Sequence, residues 1–215
     1  MNSTDIRYLL FDLDGTLVDS VYDLTTALNL LGDELGQPRL NDNAVRSIIG
    51  DGATWLIKRA FGEEQYRREQ LFRFLDIYAE HLYEKTRCYP GIEELLTRYP
   101  AENLAVVTNK PIALSLGLLK GLGLAERFKV IIGGDSYTEK KPHPLPVEKA
   151  LEALGARPEE AVIIGDHHTD LKSGRGAGTA TCFCAFGYGN TGGVEPDFTA
   201  NDPRELLQFF PGITA

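Results

Sequence analysis

"LLFDLDGTLVDS", residues 9–20, decides the fold. Leu9, Leu10 and Phe11 make an unbroken apolar run of the kind that fills a strand buried on both faces. Asp12 and Asp14 follow where the run stops. A charged group at the margin of a core is costly unless it is paired or used. Acidic residues at a strand end also serve turns and helix caps, so the rest of the chain has to decide between that role and chemistry.

Four further apolar runs repeat the pattern: "LAVVT" at 104–108, "KVIIGG" at 129–134, "AVIIGD" at 161–166 and "TATCFCAF" at 179–186. Helical patterns lie between them. In "PLPVEKALEALG" (144–155), Val147, Leu151 and Leu154 share a face, prolines open the segment and Gly155 closes it. Strands alternating with helices predict an α/β fold with a parallel sheet covered on both faces. From Val18 to Arg87 the alternation breaks, and only helices are expected. "SVYDLTTALNLLGDELG" sets Val21, Leu24, Leu28, Leu31 and Leu35 on one face, and "QLFRFLDIYAEHLYEK" does the same with Leu71, Leu75, Tyr78 and Leu82. "CYPGI" at 88–92 supplies the breaker where the chain re-enters the sheet. The expected organisation is an α/β core made of residues 1–17 and 88–215, with an all-α insertion at 18–87.

Length and composition agree with a main domain carrying a smaller insertion: 215 residues, 43% hydrophobic and 25% charged. A formal net charge of −9 argues against a nucleic-acid backbone or an anionic membrane surface as partner, since both reward clustered Lys and Arg. An anionic substrate then needs local positive charge. The N-terminus lacks the long apolar region of a signal peptide, and no apolar stretch has the length of a membrane span. Cys88, Cys182 and Cys184 form an odd set without framework spacing, which fits a reducing, cytoplasmic setting. Cys182 and Cys184 share a strand face and are expected to pack as small hydrophobes.

Ligands of open parallel sheets sit at the carboxyl ends of the strands, where the strand order reverses. The polar residues of this chain gather there: Asp12 and Asp14 after the first strand, Thr108, Asn109 and Lys110 after the second, Lys140 and Lys141 after the third. Asp166 follows the fourth, with Asp170 one helical turn on. If Asp12, Asp14, Asp166 and Asp170 converge, their repulsion raises some pKa values or recruits a cation, and the hard all-oxygen set suits Mg²⁺. A carboxylate fixed at a strand end can attack phosphorus, while its neighbour protonates the leaving oxygen and later activates water.

"FDLDGT" (11–16), "VVTNK" (106–110), "KKPHP" (140–144) and "GDHHTD" (165–170) together resemble the four motifs, in order, of the haloacid dehalogenase superfamily of phosphohydrolases. The resemblance spans nearly the whole chain. With "IIGDGATWLIKRAF" (48–61) it is most similar to phosphoglycolate phosphatases within that superfamily. It implies a Rossmann-like parallel sheet between helices, with an inserted helical cap. It also implies Asp12 as nucleophile and magnesium ligand, and Asp14 as general acid/base with its backbone carbonyl on the metal. Thr108 and Lys141 would bind phosphate, Asn109 would assist, Asp166 would complete the metal site, and Thr16 and Asp170 would support it. Asp14 further points to phosphate-ester hydrolysis, because dehalogenases and ion-pumping ATPases are not expected to keep an aspartate there.

The resemblance makes Gly50, Asp51 and Gly52 a cap loop that meets the substrate, with Arg46, Lys58 and Arg59 as nearby candidate anion contacts; Trp55 is expected in the cap core. His167 and His168 stand where related sequences usually carry a small residue, and are expected as solvated residues near a helix start. The implied activity is hydrolysis of a small phosphorylated metabolite, 2-phosphoglycolate first, by a monomer or homodimer. Another small phosphate ester or pyrophosphate, phosphoryl transfer of the β-phosphoglucomutase kind, and a non-catalytic binding module are the alternatives.

Overall fold

Residues 6–213 are described by a computed structural model; the outermost residues of the expected core segments, 1–5 and 214–215, lie outside it. The first strand, β1 (Tyr8–Phe11), buries Leu9, Leu10 and Phe11 completely, as an apolar run with no alternation should. After it come β2 (Val18–Asp19), then α1 (Val21–Glu34), α2 (Asp42–Arg46), α3 (Ala53–Phe61) and α4 (Arg68–Glu80). The chain returns through β3 (Arg87–Cys88) and continues with α5 (Ile92–Thr97), β4 (Leu104–Val107), α6 (Ile112–Gly121) and β5 (Val130–Ile132). It ends with α7 (Leu145–Leu154), β6 (Ala161–Gly165), α8 (His168–Ala177), β7 (Ala180–Cys184), β8 (Phe198–Ala200) and α9 (Leu206–Phe209).

The six-stranded sheet has the order β5-β4-β1-β6-β7-β8, and every neighbouring pair is parallel. From β1 the chain builds outward through β4 and β5, then crosses back to β6 on the other side, so β1 lies at the switch point. Apolar clusters lie on both sheet faces. Leu10, Ala105, Val107 and Ile163 pack with α7 on one face, while Leu9, Phe11, Val106 and Ile164 face the other. That second cluster runs without a break through Leu13 and Leu17 into Leu24 and Leu28 of α1 and Phe74 of α4, so the helical insertion shares the core of the sheet.

Three expectations need correction. Residues 18–87 are not strand-free: β2 and β3 pair antiparallel where the chain leaves and re-enters the sheet. Strands of two residues are too short to show a period. On α4 the buried stripe is Phe74, Ile77 and Tyr78, with Leu71 and Leu75 only partly covered. Trp55 is 41% exposed rather than in the core, with the Lys58 ammonium 4.6 Å from its ring centre. The last strand, β8, carries one buried residue in three and offers no apolar run to read.

Candidate active site

The three central strands end level with one another. Phe11 pairs with Val106 on one side and Ile164 on the other. The next residue of β1's chain, Asp12, donates its N–H to Ile164 O (2.9 Å), and Thr108 donates its N–H to Ile132 O (3.0 Å). Backbone bonds of the sheet therefore fix where these side chains begin. Gly15 makes the turn that follows, at φ +86°, and a Cβ there would lie 2.4 Å from Asp166 Oδ2. Thr16 is fully buried and places Oγ1 3.5 Å from Asp166 Oδ1.

Asp12, Asp166 and Asp170 offer carboxylate oxygens that all lie within 4.8 Å of one another. Tyr188 and Gly189 donate backbone N–H to Asp166 Oδ2 at 2.7 and 3.2 Å. Asp170 Oδ2 accepts the N–H of His167 (3.0 Å), closing the N-terminus of α8. Lys141, 2% exposed, reaches into this set with Nζ 2.9 Å from Asp12 Oδ1 and 2.5 Å from Asp170 Oδ1. Burial alone would lower the Lys141 pKa, but Asp12 and Asp170 outweigh it and lift it to about 12. Burial, with Asp170 and Asp14 adding repulsion against the pull of Lys141, raises Asp12 to about 6. Burial and the charges of Asp12 and Asp170 push Asp166 well above the carboxylate range. One lysine against three carboxylates leaves the cluster short of positive charge. Its donors are all oxygen, which fits a hard divalent cation.

The Asp14 carboxylate belongs to a different neighbourhood. Ser20 Oγ donates to its Oδ1 (2.6 Å), and Lys110 Nζ lies 3.1 Å from both oxygens. Lys110 also meets Tyr78 Oη of α4 at 2.7 Å. Burial lowers the Lys110 pKa, with Asp14 opposing the shift.

Above Asp12 and Asp14 the sheet and the insertion enclose a cavity of about 50 Å³. Gly50 and Gly52 line it, together with Thr108, Asn109 and Lys110. The loop is seated on the core by Asn109 Nδ2, which donates to Gly50 O (3.2 Å) and Lys141 O (3.0 Å), and by Lys140 Nζ, which donates to Asp51 O (2.6 Å). Thus Asp12, Asp14, Thr108, Asn109, Gly50 and Gly52 converge on one cavity, with Lys141, Asp166 and Asp170 assembled beside Asp12.

Asp51 departs from the expected set, because its side chain turns away to pair with Arg59. The named cations do not line the cavity either. Arg46 pairs with Asp19 and lies over the Tyr188 ring, Lys58 pairs with Glu63, and Arg59 is held by Asp51. His167 is buried rather than solvated: it is the N-cap of α8, with Nδ1 3.2 Å from Thr169 Oγ1, and its ring packs beneath Gly50. Burial and the neighbouring His168 lower its pKa to about 4. His168 is half-buried, and burial and Lys172 lower its pKa too. Asp51, His167 and His168 also offer ligand atoms within 4.8 Å of one another. Arg59 already occupies Asp51 and Lys172 lines the same cleft, which weighs against a second metal ion there.

Sequence reasoning gave no role to Lys110, Tyr78 or Ser20. Lys110 follows Thr108 and Asn109 directly, and its place after a central strand was the available signal.

The fold and site define an enzyme of the phosphohydrolase type, and comparison with known proteins agrees. The pattern of the family described as haloacid dehalogenase-like hydrolase matches residues 9–184. A phosphoglycolate phosphatase of Chromobacterium violaceum is 38% identical over 215 residues, covering 96% of this chain and 97% of its own. An N-acetylmuramic acid 6-phosphate phosphatase of Pseudomonas aeruginosa is 35% identical over 220 residues, covering 96% of both chains. A crystal structure of a predicted phosphoglycolate phosphatase from Haemophilus somnus superposes with a TM-score of 0.84 at 29% identity, over 95% of this chain and 97% of that one. The chain belongs to the haloacid dehalogenase-like hydrolases. Its activity is that of a phosphatase. Among the described residues no helix is long and apolar enough to cross a membrane.

Proposed function

We propose that the protein is a Mg²⁺-dependent phosphomonoester hydrolase working through an aspartyl-phosphate on Asp12, with 2-phosphoglycolate as substrate. The observation that carries this reading is the pairing of buried Lys141 with Asp12 at 2.9 Å, beside a second aspartate, Asp14, that faces the same cavity. Residues 18–87 act as a cap on the core, closing over the substrate through the Gly50–Gly52 loop. The enzyme works in the cytoplasm.

Asp12 Oδ attacks phosphorus in line with the leaving oxygen, and Asp14 hands that oxygen its proton. Water then attacks the aspartyl-phosphate, giving its proton to Asp14, and phosphate leaves. Lys141 keeps Asp12 oriented and offsets charge on the phosphoryl oxygens, with Thr108 as a further phosphate contact and Asn109 assisting by holding the Gly50 loop over the site. Asp12, Asp166 and the Asp14 backbone carbonyl would hold Mg²⁺, with Asp170 supporting. When bound, the ion supplies the positive charge that three buried carboxylates and a phosphate dianion require. The cavity is small and has apolar walls from the insertion, which suits a small phosphate ester.

Phosphate release from a panel led by 2-phosphoglycolate, with and without Mg²⁺, tests the reading alongside Asp12→Asn. Magnesium-dependent release from phosphoglycolate that disappears in the variant is expected. Faster release from another ester would overturn the substrate and keep the chemistry. Phosphoryl transfer to a sugar without free phosphate would replace hydrolysis by the mutase reaction.

A further inference from the structure

The cavity above Asp12 and Asp14 has apolar walls from Leu24, Ile49, Leu56, Phe74 and Leu114. Among the described residues that line it, Lys110 is the one cation. Its side chain is 4% exposed, its ammonium lies 4.2 Å from the Tyr78 ring centre, and Asp14 is its one carboxylate partner. The contrast with Lys141 is informative. Lys141 is equally withdrawn from water but touches two carboxylates, Asp12 and Asp170. A buried ammonium is tolerated in proportion to the anionic partners it keeps, and Lys110 has room for another on its cavity side. Gly52, the N-cap of α3, offers no side-chain cap, and it and Ala53 of the first turn line the same cavity. First-turn N–H groups and the positive end of the helix also favour an anion.

We propose that Lys110, with Tyr78 beside it, reads a carboxylate on the leaving group, so that the preferred substrates are phosphate esters of small hydroxy acids. The inference rests on the phosphatase reading above and extends it from the phosphate to the alcohol that carries it. The incoming carboxylate becomes the second anionic partner of Lys110. It draws the ammonium away from Asp14, whose oxygens are then free to face the bridging oxygen. An ester with a neutral leaving group leaves Lys110 on Asp14 and gains neither contact.

The test compares 2-phosphoglycolate with 2-hydroxyethyl phosphate, in which a hydroxymethyl group replaces the carboxylate. Initial rates are measured on the Mg²⁺-loaded wild type, Lys110→Met, Lys110→Arg and Tyr78→Phe. The wild type is expected to prefer the carboxylate ester in kcat/KM by on the order of 100-fold. That preference should collapse in Lys110→Met, shrink several-fold in Tyr78→Phe and be partly kept in Lys110→Arg. Inhibition of the wild type by glycolate, and its loss in Lys110→Met measured by calorimetric binding, covers a Lys110→Met enzyme too slow to assay. Equal losses on both esters with unchanged glycolate affinity would overturn the proposal and leave Lys110 as a positioning residue for Asp14. A wild type that turns over neither ester would instead remove phosphoglycolate as substrate, and glycolate binding would still decide the role of Lys110.

Discussion

Lys141 Nζ lies 2.9 Å from Asp12 Oδ1, and the same ammonium lies 2.5 Å from Asp170 Oδ1. One cation from the loop after β5 thus joins the end of β1 to the first turn of α8, and the candidate site is held together by the charges to which the proposed chemistry is assigned. Replacing Lys141 by Met leaves two buried carboxylates facing each other without their shared cation, with the His167 N–H still on Asp170. Activity should fall by roughly 10³-fold, and stability by about 3–5 kcal/mol. Turnover and urea denaturation of Lys141→Met would check both; retention of stability would mean that Asp12 and Asp170 are held by other groups.

Asp12→Asn separates function from stability. Asp12 titrates at about 6 against an ordinary 3.8, chiefly through burial. The native chain therefore binds the proton more tightly than the unfolded one, and stability from this group is lost as pH rises through that window. At neutral pH the metal-free Asn variant should be more stable than the wild type by on the order of 2 kcal/mol, while turnover vanishes. Denaturation without metal is the measurement, and a less stable variant would show that the Lys141 contact outweighs the cost of burial.

The same shifts set the pH dependence of metal binding. For Asp12 and Asp166 to hold a divalent cation, as proposed, both must be deprotonated; burial raises both, with repulsion from Asp170 and Asp14 added at Asp12 and from Asp12 and Asp170 at Asp166. Mg²⁺ should bind with proton release, and its affinity should fall as pH drops below about 6. Calorimetry in buffers of different ionisation enthalpy would count the protons. A flat affinity across this range would place the ion away from Asp12.

Gly50 joins the insertion to the core at close range. Its φ is +129°, and a Cβ would lie 2.8 Å from Cδ2 of His167. Gly50→Ala should lift the loop from its seat on Asn109 and lower kcat/KM by roughly 10–100-fold, with a smaller effect on thermal stability. Removing the ring in Gly50→Ala/His167→Ala should restore part of the loss, leaving the strain of the positive φ. No recovery in that double-mutant cycle would show that the ring is not the obstacle.

The convergence of the candidate site could be read from the sequence because its residues sit where buried strands stop. Asp12, Thr108 and Asp166 each follow an apolar run, and a parallel sheet brings such ends together without further information. The contact between Lys110 and Tyr78 could not be read this way, since it joins the end of β4 to a helix of the insertion. Only the docking of that helix creates the meeting. His167 escaped because a histidine N-cap lies outside the usual cap chemistry of Ser, Thr, Asp and Asn. Trp55 was misplaced because α3 spends Leu56, Ile57 and Phe61 on the core, and its ring lies on the opposite side beneath Lys58.

Asp23, on the first turn of α1, is fully buried, and its oxygens accept the N–H groups of Lys85 and Thr86 and the hydroxyl of Thr86 at 2.7–3.0 Å. The outgoing and returning segments of the insertion are therefore fastened together beside β2 and β3. Asp23→Ala leaves buried donors at Thr86 unpaired and should cost about 3 kcal/mol. That corresponds to a Tm lower by roughly 6–12 °C for a chain of this size. Asp23→Asn should recover little, because its amide turns a donor toward a group of donors. Thermal unfolding of both variants with Mg²⁺ present gives the answer. A Tm within about 1 °C of the wild type in Asp23→Ala would show that the two segments stay joined by β2–β3 pairing alone.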